Sequence, residues 1–208
     1  MNSYSVPARG VITKKATHRI LHGGKKTLNI LPGDYAISRE DIVITTVLGS
    51  CISVCFYSDR SPYCGMNHFM LPESRTEKSA GSIMHSDAAF YGINAMEQVI
   101  NALLKNNVRK EDIRAKVFGG GNVIAVNVGK KTVGDQNIEF AFEFLKTENI
   151  PITACSVGGD FARKIFFHVK TKDVYMTRLG SGSNTHIIEE EKSLLNRGIH
   201  MEDITLFR

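Results

Sequence analysis

Two segments of the chain carry apolar residues at helical spacing. In the first, apolar residues recur at alternating steps of four and three positions after Ser86 and Asp87, two polar residues suited to the start of a helix. We predict a helix from there to about Asn106 and a second helix over about residues 136–147. The apolar positions are Ala89, Ile93, Met96, Ile100 and Leu103 in the first helix and Ile138, Ala141, Phe142 and Leu145 in the second.

Short apolar runs bounded by turn residues predict the strands. These runs cover residues 44–48, 52–57, 65–71, 115–118, 152–157, 164–171 and 174–179. The last two are expected to form a hairpin around Lys172 and Asp173. Strands mixed with two substantial helices predict a sheet-containing α/β fold of the α+β type. The pattern by itself does not order the strands.

Cys51 and His68 stand out because each lies in an apolar run that has no structural need for a reactive side chain. The strand before Cys51 breaks at Gly49, which tolerates a positive φ and permits a sharp turn. A thiol beside such a turn and a histidine on a neighbouring strand suffice for cysteine-based acyl chemistry. An imidazolium near the thiol would lower its pKa, and the backbone N–H groups of Ser50 and Cys51 could face an oxyanion. The same residues also fit a plain buried cysteine and a core histidine.

Three rival sites are weaker. One is a set of four potential zinc ligands: Cys51, Cys55, Cys64 and His68. A strand over residues 52–57 would hold the first two thiols about 13 Å apart, too far for one zinc ion. The glycine run at residues 119–121 lacks the other residues of a phosphate-binding loop, so it predicts close backbone packing. The Ser50 hydroxyl offers no advantage over the adjacent thiol, and the thiol chemistry requires neither a metal nor an organic cofactor.

Composition limits the class of protein. The chain has 208 residues, of which 42% are hydrophobic, so it can bury one good core, and no linker divides it. No apolar stretch approaches ~18 residues and the N-terminus lacks a hydrophobic signal core, which predicts a cytoplasmic protein without membrane insertion. Its four cysteines are then expected to be thiols.

Basic residues are concentrated at the N-terminus. Residues 1–30 contain six Lys or Arg and no acid, so the rest of the chain is close to neutral. We expect residues 1–27 to form a flexible basic arm. This arm lacks the interleaved aromatic residues of nucleic-acid-binding segments, so no nucleic-acid partner is expected. The folded domain is predicted over residues 28–180, followed at 181–208 by a linker and a short helix near 189–196.

The residues around the candidate site form two motifs, TTVLGSC at 45–51 and NHFMLP at 67–72. Further segments are LPGDY at 31–35, AKVFGG at 115–120, VGG at 157–159 and Arg163 with Lys164. Together they resemble the CheD family of bacterial chemotaxis proteins over about residues 30–180. One departure is Phe161 and Ala162, where the family usually has a second glycine before its Arg-Lys pair.

Members of this family are chemoreceptor glutamine deamidases, so the resemblance implies conversion of receptor Gln side chains to Glu with release of ammonia. It assigns the nucleophile to Cys51, the base to His68 and the third role to Thr45. It also implies a layered α/β/β/α domain similar to cysteine hydrolases of the cytotoxic necrotizing factor type. A receptor methylesterase side activity and a CheC-type phosphatase partner belong to the same resemblance. The alternative function is a non-catalytic adaptor that binds chemoreceptors and that phosphatase.

Thr45 can reach such a site only under a geometric condition. Six residues of straight strand would place it about 20 Å from Cys51. The chain must therefore turn back between Val47 and Ser50, or the backbone of Thr45 must orient the histidine. The side chain of Thr46 is expected on the opposite face of the strand.

The substrate groove is expected to border the polar segment at residues 73–86, which follows the motif that carries the histidine. This segment can bury little apolar area, and polar loops of this kind are typically mobile.

Overall fold

The computed structural model describes residues 12–13, 19–22, 25–71, 87–122, 131–179 and 204–207. Twelve strands and two α-helices lie within these ranges. The strands are β1 (Ile12–Thr13), β2 (Arg19–His22), β3 (Lys25–Asn29), β4 (Tyr35–Ser38), β5 (Ile42–Leu48), β6 (Ile52–Tyr57), β7 (Cys64–Asn67), β8 (Arg114–Gly119), β9 (Ile152–Val157), β10 (Ala162–His168), β11 (Val174–Leu179) and β12 (Ile204–Phe207). The helices are α1 (Asp87–Lys105) and α2 (Val133–Thr147).

The strands form two mixed sheets of six strands each. The first sheet has the order β1-β4-β7-β6-β8-β9, and the second has the order β12-β11-β10-β5-β3-β2. One pair in each sheet is parallel, β8 with β9 and β3 with β5. Both α-helices pack on the first sheet, and an apolar layer fills the space between the sheets. This arrangement confirms the predicted α+β class.

The described residues form three layers, in the order helices, first sheet, second sheet. A helical layer beyond the second sheet, which an α/β/β/α arrangement would add, is not found among them. The short helix predicted near residues 189–196 lies outside the described residues.

The two predicted helices are confirmed, and one boundary differs. α1 begins at Asp87 and ends at Lys105, close to the predicted limits. α2 begins before the predicted start at Gln136 because Thr132 caps it. The Thr132 hydroxyl accepts a hydrogen bond from the backbone N–H of Asp135, and the Asp135 carboxylate accepts one from the backbone N–H of Thr132. This reciprocal pair precedes the apolar stripe, so periodicity alone does not reveal it.

The terminal segments differ from the expectation of flexible tails. β1, β2 and part of β3 lie within the predicted N-terminal arm, and β12 lies within the predicted C-terminal linker. β1 pairs with β4, β3 with β5, and β12 with β11. The partner strands of β1, β3 and β12 supply the pairing that defines them, so local composition is a poor guide to such strands.

Strand β6 separates two apolar cores by alternation. Ile52, Val54 and Phe56 belong to the core beneath the helices, whereas Cys55 belongs to the core between the sheets. Cys51 packs against the same intersheet core and is only partly buried. The candidate nucleophile therefore lies on the face of the first sheet that meets the second sheet.

Candidate active site

The chain crosses from one sheet to the other immediately before the candidate nucleophile. β5 ends at Leu48 in the second sheet, and β6 begins at Ile52 in the first. Residues 49–51 make this crossing, and they place Cys51 at the border of the intersheet core with part of its surface exposed.

Strand register places His68 on the same face of the sheet as Cys51. Ile52 and Phe69 exchange two backbone hydrogen bonds of 2.9 Å, which continue the antiparallel register of β6 and β7. Counted from this pair, His68 is one diagonal step from Cys51. Diagonal neighbours on antiparallel strands have Cα atoms about 7–8 Å apart, within reach of their side chains. The fold thus brings the two predicted residues together.

A tight turn before β4 fixes the backbone of His68. The His68 N–H donates to Asp34 O at 3.0 Å, and the His68 carbonyl accepts from Gly33 N at 2.8 Å. Within the turn, Asp34 N donates to Leu31 O at 2.9 Å, and Gly33 has a φ of 86°. Proline in the second position and glycine in the third are typical of a type II turn. The LPGD motif therefore acts as a support for the histidine.

The hydrogen bonds around the His68 ring define its tautomer. Thr46 Oγ1 donates to Ile30 O at 2.7 Å and lies 2.7 Å from His68 Nδ1. Since the only hydroxyl proton goes to Ile30 O, the hydroxyl oxygen must accept from Nδ1, which therefore carries a proton. His68 Nε2 is left with a lone pair, and this buried atom has no hydrogen-bond partner among the described residues.

The hydroxyl beside the histidine belongs to Thr46, whereas the hydroxyl of Thr45, the residue to which the resemblance assigns the third role, is bonded elsewhere. Thr45 Oγ1 donates to Ile165 O at 2.7 Å. Adjacent residues of a strand point to opposite faces, and the inner face of β5 carries Ile44 and Thr46 toward the first sheet. Because the sheets stack through that inner face, the histidine meets Thr46.

Burial disfavours the charged forms of both candidate groups. Burial raises the pKa of the Cys51 thiol to about 11, and a backbone hydrogen bond of Cys51 itself opposes this only in part. Burial also lowers the pKa of the His68 ring to about 4, against the opposing effect of the Ile30 carbonyl. These shifts run opposite to the expected lowering of the thiol pKa by an imidazolium, because desolvation disfavours both charged forms.

A glycine loop supports the crossing segment. Gly120 N donates to Cys51 O at 2.8 Å, and Gly121 N donates to Gly49 O at 2.7 Å. A Cβ atom at Gly119 would lie 2.0 Å from Cys51 O, so only glycine allows this approach. The prediction of close backbone packing here is confirmed. Gly119 and Gly120 have positive φ values, whereas Gly49 is not among the described positive-φ residues, so the expected conformation of Gly49 is corrected.

Asn137 on α2 links the two halves of the site, although the sequence motifs do not single it out. Its Nδ2 donates to Ser50 O at 2.8 Å, and its Oδ1 accepts from Leu71 N at 2.8 Å. Ser50 directly precedes the nucleophile, and Leu71 lies three residues after the histidine. The side chain is fully buried on the helix face that also carries Phe140. A polar residue within an apolar helix stripe is the sequence signal for such a link, because a buried amide needs hydrogen-bond partners.

These anchors orient two backbone N–H groups. In a trans peptide the C=O and N–H bonds point in opposite directions. Gly49 O is held by Gly121 N and Ser50 O by Asn137, so the N–H groups of Ser50 and Cys51 point away from these supports. Neither N–H donates to another residue in the described part of the chain.

The rim of the site is apolar. Leu31 and Met70 are large apolar residues with 45% and 42% of their surface exposed. Leu31 begins the turn that supports His68, and Met70 Sδ lies 3.8 Å from Ser50 Oγ. The segment at residues 73–86, predicted to border the groove, lies outside the described residues.

The other three cysteines do not share the position of Cys51. Cys55 and Cys64 lie away from the exposed rim, and Cys155 lies away from the histidine. Cys55 and Cys64 are fully buried, and Cys155 is exposed on β9. Within the described ranges, no three side chains of His, Cys, Asp or Glu are grouped so that they could hold a metal ion. No helix in those ranges has the length and apolar character needed to cross a membrane.

The matching family model and the similar sequences point to one family. The family model described as CheD chemotactic sensory transduction matches residues 70–178. The chain is 41% identical over 172 residues to a probable chemoreceptor glutamine deamidase CheD of Methylobacillus flagellatus, a match that covers 81% of each chain. It is 38% identical over 175 residues to a protein of the same description from Cupriavidus metallidurans, with 84% of this chain and 78% of that protein covered.

Among solved structures, the C-terminal domain of CNFy from Yersinia pseudotuberculosis is similar over 88% of this chain and 60% of that one. The TM-score is 0.28 and the sequence identity 6%. The assignment of the fold class rests on the sheets and helices of the chain itself.

Proposed function

This chain belongs to the CheD family, and we propose that it is a chemoreceptor glutamine deamidase, which hydrolyses receptor glutamine side chains to glutamate and ammonia. The names of its relatives support this activity. The observation that carries the proposal is the buried His68 Nε2, whose lone pair has no partner among the described residues and which lies one diagonal step from a partly exposed thiol.

In the first half of the reaction, the thiol displaces ammonia. His68 Nε2 takes the proton of Cys51 as the sulfur attacks the side-chain carbonyl carbon, and a C–S bond forms. The backbone N–H groups of Ser50 and Cys51 donate to the resulting oxyanion. His68 then gives its Nε2 proton to the amide nitrogen, the C–N bond breaks, and ammonia leaves a thioester on Cys51.

In the second half, water releases the product. His68 Nε2 takes a proton from a water molecule, whose oxygen adds to the thioester carbon. The C–S bond breaks, the sulfur recovers the proton from His68, and the receptor leaves with glutamate. No metal or organic cofactor enters either half. A receptor glutamate methyl ester would form the same thioester with methanol as leaving group, which supports a methylesterase side activity.

Thr46 and the Ile30 carbonyl assist this cycle from the other side of the ring. The imidazole carries a positive charge only while it holds the extra proton at Nε2. The Ile30 carbonyl holds the Thr46 hydroxyl proton, and the Thr46 hydroxyl oxygen accepts from Nδ1–H. Because hydrogen bonds to a charged donor are stronger than those to a neutral one, this chain stabilises the transient imidazolium and fixes the tautomer that accepts the proton. We assign to Thr46 the orienting role that the resemblance implies for Thr45.

The substrate is the cytoplasmic helical region of a chemoreceptor, and the enzyme works in the cytoplasm without membrane insertion or nucleic acid. Leu31 and Met70 flank the reactive groups and are exposed, so they are available to apolar side chains that surround the target glutamine. The family resemblance further suggests a CheC-type phosphatase as a binding partner.

Incubation with a receptor cytoplasmic fragment tests the activity. Ammonia release and the ~1 Da mass gain of Gln-to-Glu conversion are followed together, since both report hydrolysis of the amide. The proposal predicts equal amounts of both products. A protein that binds the fragment and yields neither product is an adaptor, and that result would overturn the proposed activity.

A further inference from the structure

We infer that Asn137 is a positioning residue for the deamidation reaction, acting through the two backbone segments that carry Cys51 and His68. This inference rests on the proposed function for its effect on turnover. It names a residue outside both sequence motifs, on a helix that contributes no other hydrogen bond to Ser50 or Leu71 among the described residues.

The side-chain amide of Asn137 bridges the segment that contains Ser50 and the segment that contains Leu71. Nδ2 holds the carbonyl of Ser50, and Oδ1 holds the N–H of Leu71, each at 2.8 Å. Asn137 has no measurable exposure to solvent. Both ends of the amide are therefore satisfied by backbone atoms of the site, and a shift of either segment breaks a buried hydrogen bond.

The first of these bonds also sets the direction of an oxyanion donor. The Ser50 carbonyl and the Cys51 N–H belong to one peptide plane, so holding the carbonyl toward α2 directs that N–H the opposite way. Without the donor on Nδ2, the peptide is free to rotate and the N–H loses its fixed direction. Preorganised donors of this kind act mainly on the transition state, so the loss should appear in kcat more than in KM.

The two hydrogen bonds can be separated by an isosteric variant. In Asn137→Asp the carboxyl group still accepts from Leu71 N. When ionised it has no proton for Ser50 O, and when protonated it can donate again. In Asn137→Leu both bonds are lost at every pH. Asn106→Asp is the matched control, because Asn106 Nδ2 also donates to a backbone carbonyl, Ala102 O at 2.8 Å, at the remote end of α1.

The experiment measures kcat and KM on the receptor fragment between pH 5.5 and 8.5, with thermal unfolding of each variant. At pH 8, kcat of Asn137→Asp should fall about tenfold or more with little change in KM. Its kcat relative to the unmodified protein should recover as the pH falls and the new carboxyl takes a proton. The relative kcat of Asn137→Leu should stay low at all pH values, and Asn106→Asp should match the unmodified protein.

Alkylation of Cys51 by iodoacetamide, without receptor, gives a readout independent of turnover. A loosened crossing segment exposes the thiol, and relief from burial lowers its pKa, so Asn137→Asp should alkylate several-fold faster at pH 8. Unchanged kcat and alkylation with a lowered unfolding temperature would show a purely structural residue and overturn the inference. A raised KM with unchanged kcat would overturn it as well. If the unmodified protein releases no ammonia, the proposed function fails while the alkylation rates still decide whether Asn137 fixes Cys51.

Discussion

Two regions of the layer between the sheets combine thiols with a basic side chain. In one, Cys51 lies with His68. In the other, Cys55 and Cys64 lie near Lys116, which is directly opposite Cys55 in the register of β6 and β8 and acts electrostatically on both thiols. Burial raises the pKa of Cys55, as it raises the pKa of Cys64 to about 12. By residue type and thiol pKa the two regions are alike.

The two regions differ in whether the basic side chain keeps a nitrogen atom that is not already hydrogen-bonded. Lys116 Nζ donates to Lys172 O at 2.7 Å and to Phe207 O at 3.0 Å, so it ties β8 to the hairpin turn and to β12. His68 uses Nδ1 for its anchor and keeps Nε2 without a partner among the described residues. Cys55 and Cys64 have no exposed surface, whereas Cys51 does. An accessible thiol and a lone pair without a described partner therefore distinguish the proposed reactive pair from the second cluster.

The largest effect is expected when one thiol of each region is removed in turn, Cys51 in one variant and Cys55 in the other. Cys51→Ala should lower the rate of deamidation by about 10⁴-fold or more, because no other group in the scheme forms the covalent intermediate. Cys55→Ala should remain active at a temperature where circular dichroism shows it folded. Comparable rates in Cys51→Ala and the unmodified protein would remove the distinction between the regions.

The second largest effect is expected from replacing His68, the proposed base. His68→Asn keeps a side chain that can contact Thr46 and removes the titratable nitrogen, so kcat should fall about 10²–10⁴-fold. Receptor binding, measured by calorimetry, should change little. Retention of more than a tenth of the activity would mean that another group takes the thiol proton.

Thr45 and Thr46 provide a paired test of the orienting role. Each hydroxyl donates to a buried carbonyl, Ile165 O or Ile30 O, so either change to Val should lower the free energy of unfolding by about 1 kcal/mol. Only Thr46→Val should lower kcat, by about tenfold, because it frees the His68 ring. The reverse result, with Thr45→Val inactive and Thr46→Val active, would contradict the placement of the side chains on β5.

The smallest effect expected is that of pH. Burial lowers the pKa of His68 to about 4, and the reaction starts from the neutral ring. Protonation therefore removes the base only as the pH falls toward that value, and kcat/KM should change less than about twofold between pH 7.5 and 5.5. An acid limb centred near 6.5, the value of an ordinary histidine, would indicate that the ring is exposed or paired with a carboxylate.

The positions of helices and strands could be predicted from the sequence more reliably than the face of each strand that meets the other sheet. Both helices and the strands next to Cys51 and His68 follow from local apolar patterns, and the two motifs contain the proposed reactive pair. The choice between Thr45 and Thr46 depends on which face of β5 meets the other sheet, and that is fixed by stacking between distant strands. Asn137 enters the site through tertiary contacts with Ser50 and Leu71; its place in an apolar helix stripe indicates a buried amide but not the partners of that amide.

Labelling with a substrate analogue identifies the group that attacks the glutamine side chain. A receptor-derived peptide that carries a diazo-ketone analogue at the position of the target glutamine forms a stable bond with the attacking group and releases nitrogen. Peptide mapping by mass spectrometry at pH 7.5 then identifies the labelled residue. We expect label on Cys51 that excess receptor fragment suppresses, with Cys55 and Cys64 unlabelled. Fragment-sensitive label on Cys155 or on the Ser50 hydroxyl, with Cys51 unmodified, would contradict this expectation.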